Sequence, residues 1–195
     1  MKGLLALSRL IDALNERLGR LVYWLVLAAV LISAGNALFR YLLNTGSNAW
    51  LEIQWYLFSA IFLLASGYTL LHNEHIRIDV ISGRLSRRAQ TWIDILGGIF
   101  FLLPMALYLL WLSWPMVWDA YVRHEISADA GGLVRWPVKL LIPAGFLLLS
   151  LQGVSELIKR VAFLQGLAPD PAEKREPAAE LALAKEIADS AGSRQ

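Results

Sequence analysis

Apolar residues in this chain are gathered into four long runs that short polar segments separate. The runs cover residues 21–39, 53–71, 92–118 and 138–158. Each is long enough to cross a hydrocarbon layer about 30 Å thick at about 1.5 Å per helical residue. The pattern therefore predicts an all-α integral membrane protein with four transmembrane helices. Because the third run is longer than a crossing needs, we expect it to tilt, to protrude, or to kink at Pro104 or Pro115.

Residues 1–20 have a different pattern, in which leucines and an isoleucine recur at spacings of three and four. This stripe consists of Leu4, Leu7, Ile11, Leu14, Leu18 and Leu21. Such spacing predicts an N-terminal amphipathic helix that lies in the membrane interface or along a partner helix. The alternative interpretation is a frayed cytoplasmic extension.

The composition changes again near Pro169, toward proline, alanine and charged residues. A segment of this kind is typical of a solvated tail. We therefore expect three parts, with a short helix near 180–187 in the last of them. These are an interfacial helix over 1–20, a four-helix transmembrane domain over 21–160, and a disordered cytoplasmic tail over 161–195.

Basic residues are distributed unevenly between the segments that flank the runs. Lys and Arg number four in 1–20, one in 40–52, four in 72–90 and two in 119–136, and six follow the fourth run. Cytoplasmic loops of membrane proteins carry the excess of Lys and Arg. The count predicts that both chain ends lie in the cytoplasm and that the loops over 40–52 and 119–136 lie outside.

Composition narrows the functional classes. The chain has 195 residues, is 57% hydrophobic, and contains no cysteine. Disulfides, zinc thiolate sites and iron–sulfur clusters are therefore excluded. The net charge of +2 and the pI of about 9.0 fit anchoring to anionic lipid better than nucleic-acid binding.

Candidate chemistry is sparse. The middles of the four runs hold no Asp, Glu, Lys, Arg or His, which argues against a coupled transport path through this chain alone. His72 and His75 share a loop on the side opposite His124, so no paired haem ligands arise. A metal site that uses His72 and His75 with Glu74 and Asp79 is possible by residue type, but a hydrogen-bonded loop is the preferred interpretation. We expect no enzyme activity and no cofactor.

Asn36 lies in the first run beside a series of small residues that recur every four positions. Ala29, Ser33 and Ala37 form this ladder, which favours close helix packing with the amide as a hydrogen-bonding group. Ligand binding by Asn36 is the alternative.

Two charges flank the short loop between the first two runs. Arg40 and Glu52 are close enough along the chain to form an ion pair that ties these helices together, or they are independently solvated. The loop over 119–136 carries Gly131 and Gly132, which predict a tight turn.

Several of these residues occur in an order that is similar to a known family. The order is Asn36-x-x-Phe39-Arg40-Tyr41, then Trp50-x-Glu52, then His72-Asn73-Glu74-His75-x-Arg77-x-Asp79. It resembles the DctQ-type small membrane subunit of tripartite ATP-independent periplasmic (TRAP) transporters over about residues 20–160. The family often has two adjacent acids after the tryptophan, whereas here Ile53 follows Glu52. That version, with the loop ending Arg135-Trp136-Pro137, is similar to the branch labelled for mannitol and chloroaromatic compounds, whose members are associated with 2-oxo acids and other carboxylates.

The resemblance implies a scaffold rather than a reaction. Its expected partners are a large membrane subunit that carries the substrate and sodium sites, a periplasmic solute-binding protein, and the lipid bilayer of the bacterial inner membrane. The expected structural residues are Asn36, Arg40, Trp50 and Glu52 at the outer end, and His75, Arg77 and Asp79 in the inner loop. The expected docking residues are Asn48, Asp129 and Arg135. A stand-alone small transporter and a membrane anchor of an oxidoreductase are the rival interpretations.

Overall fold

The computed structural model describes residues 1–43, 47–72 and 85–169. These residues form six α-helices and one π-helical turn, Gly98–Leu102, which joins the fourth helix to the fifth. The helices are α1 (Lys2–Leu43), α2 (Asn48–Leu64), α3 (Ser66–Leu71), α4 (Arg87–Gly97), α5 (Leu103–Val122) and α6 (Trp136–Leu164). A single turn residue, Ala65, separates α2 from α3.

Four helical stretches are long and apolar enough to cross a membrane. They are α1, α2 with α3, α4 with α5, and α6, and each contains one of the predicted runs. A helix satisfies its backbone hydrogen bonds internally, which lipid requires of any spanning segment. The prediction of an all-helical, four-span protein is confirmed at this level.

The last helix, α6, is the centre of the bundle. It contacts each of the other spans, and half of its most apolar stretch is buried, against 11% or less in the other three. Glycines allow the close approach: a Cβ added to Gly145 would lie 2.8 Å from the Leu63 carbonyl oxygen, and one added to Gly153 would lie 2.6 Å from Leu102 Cδ2. Small residues at helix contacts are the usual route to tight packing in membranes.

The first helix, α1, runs without a break from Lys2 to Leu43. In the N-terminal part of α1, the side that packs on the rest of the protein is not the leucine stripe. The buried residues there are Ser8, Ile11, Asn15 and Gly19, whereas four of the six stripe residues are exposed. Polar side chains turn inward because they find hydrogen-bonding partners on α6. The interfacial position of residues 1–20 stays a prediction.

The π turn before α5 has a cause in the sequence. The Leu103 N–H donates to the Gly98 carbonyl five residues back, so this turn is wider than an α-helical one. It lies next to Pro104, whose ring would clash with the carbonyl four residues earlier in a regular helix. A π turn therefore lies next to Pro104, one of the two prolines at which a kink was predicted, while the helices continue through Pro115 and Pro143.

The end of α6 is capped four residues beyond the predicted boundary at 160. Leu167 N–H donates to the Ala162 carbonyl and Gly166 N–H donates to the Phe163 carbonyl, both at 2.9 Å. Gly166 has a φ of 71°, the left-handed conformation that this type of helix end requires. The remainder of the predicted tail, residues 170–195 with the short helix near 180–187, lies outside the described residues.

Candidate functional site

The loop between α5 and α6 folds back on itself as a short hairpin. The Ser127 N–H donates to the Leu133 carbonyl at 3.0 Å, and the Arg135 N–H donates to the Glu125 carbonyl at 2.9 Å. Gly131 takes a φ of 74°, which residues with side chains rarely adopt. The tight turn predicted from the glycines is confirmed, and the hairpin has a defined shape.

The carboxylate of Glu52 on α2 binds the inside of this hairpin. The Leu133 N–H donates to Oε2 at 2.6 Å, and the Ser127 hydroxyl donates to Oε1. Arg135 Nη2 lies 4.0 Å from Oε1 and donates to Ser127 Oγ at 2.9 Å. Glu52 is only 5% exposed, so its charge depends on these three groups, since a buried carboxylate without partners is costly.

Two further side chains of α2 hold the same hairpin. Asn48 Nδ2 donates to the Ala130 carbonyl at 3.2 Å, and the Tyr56 hydroxyl donates to the Val134 carbonyl at 2.8 Å. With Glu52 they are spaced four residues apart, so all three lie on one face of α2. We call the set of Asn48, Glu52, Tyr56 and residues 125–135 the hairpin latch.

The latch corrects one prediction about Glu52. Arg135 occupies the position beside the carboxylate that the sequence had suggested for Arg40, and no Arg40–Glu52 ion pair is present between these two described residues. The hairpin covers the carboxylate, while Arg40 is exposed near the end of α1. Trp50 is also exposed, and Asn36 is half-buried.

The three candidate docking residues have different surroundings. Asp129 is exposed at the tip of the hairpin, and Asn48 is exposed while it holds the Ala130 carbonyl. Arg135 is half-buried and braces the hairpin from inside. Docking thus remains a prediction that suits Asp129 and Asn48 better than Arg135.

The inner loop that carries His75, Arg77 and Asp79 lies outside the described residues. The alternative interpretation of this loop as a metal site needs His75, so it lies outside them too. His72 is described, and its Nε2 lies 2.8 Å from Oε2 of Glu16 on α1. Within the ranges that the structure describes, no group of three or more metal-ligating side chains comes together.

Sequence reasoning missed a buried polar cluster where α1 crosses α6. We call it the α1–α6 cluster; its members are Ser8, Asp12, Asn15, Asp94, Gln152, Ser155, Glu156, Lys159 and Arg160. Gln152 accepts from Asn15 Nδ2 at 2.8 Å and donates to Asp12 Oδ1 at 2.9 Å. Ser155 Oγ donates to the same Asp12 oxygen at 2.7 Å. These bonds fix the position of α1 against α6.

Charges complete the cluster. Arg160, 5% exposed, donates to Glu156 Oε2 at 2.6 Å and to Asp94 Oδ2 at 3.2 Å. Lys159 Nζ lies 3.2 Å from Asp12 Oδ2 and is also paired with Glu156. Three helices are thereby joined by ion pairs. The Arg160–Glu156 pair within α6 is buried, and a buried pair is sensitive to loss of one partner, whereas Asp12 and Asp94 are partly exposed.

The fold and these contacts define a multi-span helical membrane protein whose polar side chains join its helices. Residues 29–163, more than half of the chain, match the family described as tripartite ATP-independent periplasmic transporters, DctQ component. The chain belongs to this family, which is a transporter component and not an enzyme family. No curated protein and no solved structure matches the chain. The matched range contains the hairpin latch but begins after the α1 residues of the α1–α6 cluster.

Replacement of Glu52 by glutamine is expected to loosen the hairpin without unfolding the bundle. The amide keeps the size of the side chain but removes the charge that Leu133, Ser127 and Arg135 share. Hydrogen exchange at the Leu133 amide should quicken about tenfold, since bonds to charged acceptors are the stronger ones. Asp119→Asn, an exposed carboxylate change on α5, is the control and should leave this exchange rate unchanged. Equal exchange in both variants would contradict the latch.

Proposed function

We propose that this chain is the small, non-catalytic membrane subunit of a TRAP-type secondary transporter in the bacterial inner membrane. It would act as scaffold and anchor for a large membrane subunit, with a periplasmic binding protein that delivers the solute. The observation that carries the proposal, beside family membership, is that three of the four spans bury 11% or less of their apolar stretch within the chain. Those faces are available to a partner subunit and to lipid.

The solute class and the coupling ion extend the same proposal. We infer import of organic acids of the 2-oxo acid or carboxylate class, because the Glu52-Ile53 pair and the loop that ends Arg135-Trp136-Pro137 resemble that branch of the family. Coupling to sodium is proposed from the resemblance to the family as a whole. The sites for solute and ion would lie in the large subunit.

The proposed orientation in the membrane suggests a role for the hairpin latch and for the α1–α6 cluster. With both chain ends in the cytoplasm, as the Lys and Arg count predicts, the hairpin latch faces the periplasm and presents Asp129 and Asn48 toward the binding protein. Because Glu52 and Tyr56 hold the hairpin firmly, such a docking surface would be ordered before binding, which lowers the entropic cost of association.

The α1–α6 cluster then lies at the cytoplasmic side and supports the interfacial position of the first residues. Ser8 bonds Ser155 and Asn15 bonds Gln152, so the first part of α1 runs antiparallel to the last part of α6. The leucines that this contact leaves exposed suit the headgroup region.

Purification of the tagged chain from its native membrane in mild detergent is the direct test. A large multi-span membrane protein should copurify in roughly equal amount, and mass spectrometry would identify it. The purified chain in liposomes should show neither solute uptake nor haem absorption. Recovery of the chain alone, with uptake by itself, would favour the stand-alone transporter, and a haem spectrum would favour the oxidoreductase anchor.

Alanine at Glu52 or at Asp79 should lower recovery of the complex or the rate of uptake while the order of preference among solutes stays the same. The reason is that a scaffold residue affects assembly, whereas solute choice belongs to the other components. Uptake of several organic acids by membranes that contain each variant measures this, with Asp119→Ala as the exposed control. A changed solute preference in either variant would contradict the scaffold role.

A further inference from the structure

The side of α5 that faces away from α6 carries a stripe at spacings of four and three residues. Its members, all exposed, are Pro104, Tyr108, Trp111, Pro115, Trp118 and Val122. The opposite side of the helix holds the buried residues Ala106, Ser113, Val117 and Ala120. The stripe is therefore a complete helix face that the described part of the chain leaves uncovered.

Tyr108 lies near the middle of the span that α4 and α5 form. Thirteen residues separate it from Tyr121, and sixteen separate it from Trp92, which are about 20 Å and about 24 Å along a helix. Tyr121 packs on Trp136 with ring centroids 5.7 Å apart, and aromatic side chains of this kind mark the edges of the hydrocarbon layer. A tyrosine hydroxyl on the surface at this depth has no water beside it.

Two hydrogen-bonding side chains of the stripe have no hydrogen-bond partner within the described residues, and one backbone carbonyl lacks its usual helical donor. The Tyr108 side chain is 59% exposed and the Trp111 side chain 71%; their rings lie 6.4 Å apart, and neither donates to another described residue. Pro115 has no N–H, so the Trp111 carbonyl loses the donor that a regular helix supplies. Lipid tails provide no donor or acceptor, and an unpaired polar group among them is costly.

The outward face of α2 offers a contrast. Its exposed stripe, at spacings of four, three and four, is Leu51, Trp55, Phe58 and Phe62. Among these four residues only Trp55 has a polar group, the indole N–H. Trp55 lies seven residues from the start of the helix, about 10 Å from that end. This stripe suits contact with lipid.

We propose that the α5 stripe is the surface on which the large membrane subunit docks, through a transmembrane helix that presents hydrogen-bond donors and acceptors at the depth of Tyr108 and Trp111. This inference rests on the proposed function and adds the contact face and the chemistry of the partner helix. The partner supplies an acceptor for the phenol and indole hydrogens and a donor for the Trp111 carbonyl, and the α2 stripe stays in lipid.

Photo-crosslinking in the full complex, in native membranes, tests the face. Benzoylphenylalanine placed at position 108 should crosslink to the large subunit, and the same residue at position 62 should give lipid adducts. The inference is overturned if position 62 captures the large subunit while position 108 captures lipid, or if position 108 captures a second copy of this chain. If no large subunit copurifies with the unaltered chain, the proposed function fails first and this inference fails with it.

Removal of the Tyr108 hydroxyl alone gives a second readout. Tyr108→Phe should reduce recovery of the large subunit about three- to tenfold, the usual effect of one hydrogen bond between membrane helices. Tyr121→Phe is the matched control, because that hydroxyl lies where water reaches it, and it should leave recovery unchanged. Equal recovery of the large subunit with Tyr108→Phe, Tyr121→Phe and the unaltered chain would overturn a role of the phenol in docking.

Discussion

Replacement of Arg160 by methionine is expected to lower the free energy of unfolding by about 2–3 kcal/mol, because hydrogen bonds to charged groups are lost at a buried site. Methionine retains much of the volume and the apolar stem but removes the guanidinium from Glu156, itself 4% exposed, and from Asp94, while Lys159 and Gln152 still contact Glu156. The link between α6 and α4 is lost at the same time. Unfolding by SDS in mixed micelles, followed by tryptophan fluorescence, measures the change.

The matched control is Arg123→Met. Its guanidinium donates to Asp119 Oδ1 at 2.7 Å, four residues earlier on the chain, with 75% of the side chain exposed. An exposed pair of this kind contributes about 0.5 kcal/mol or less. If the two variants lost equal stability, the α1–α6 cluster would not hold α4 and α6 together as described.

The sequence predicted the four spans because long apolar runs admit few other structures in lipid. The same attention to apolar residues left the polar side of the N-terminal part of α1 unnoticed. The leucines of residues 1–20 predicted an interfacial or partner-facing stripe, which stays a prediction, whereas the contact within the chain is made by Ser8 and Asn15, which point inward. These two polar residues, seven apart on α1, and their partners Ser155 and Gln152 on the last span were the available signal for a polar contact between helices.

Glu52 shows where sequence reasoning stops. Arg40 was the nearest basic residue along the chain, yet the bonds of the carboxylate reach Ser127 and Leu133, which are 75 and 81 residues away. The four-residue spacing of Asn48, Glu52 and Tyr56 marks a polar face on α2. Which loop covers that face depends on how α5 and α6 pack against the bundle, and this packing is a tertiary property that one sequence does not display.

Gly145→Ala is expected to destabilise the bundle by about 3 kcal/mol, at the upper end of the usual range for overpacking. Helix propensity alone predicts the opposite sign, since alanine is favoured over glycine by about 1 kcal/mol in a helix interior. The added Cβ would lie 2.8 Å from the Leu63 carbonyl oxygen, and a backbone atom cannot turn aside as a flexible side chain can. Ser66 Oγ, which donates to the Leu63 carbonyl at 2.7 Å and to the Gly145 carbonyl at 3.3 Å, would also lose its geometry.

Gly35→Ala on α1 makes the same chemical change where a Cβ meets nothing within 4 Å. It should leave stability unchanged or raise it by up to about 1 kcal/mol through helix propensity. SDS unfolding of the two variants side by side therefore separates the contact from the propensity, because the propensity difference is common to both sites. A loss at Gly145 with no loss at Gly35 would place α2 against α6 at this glycine, whereas the same small gain at both sites would mean that the two helices stay apart there.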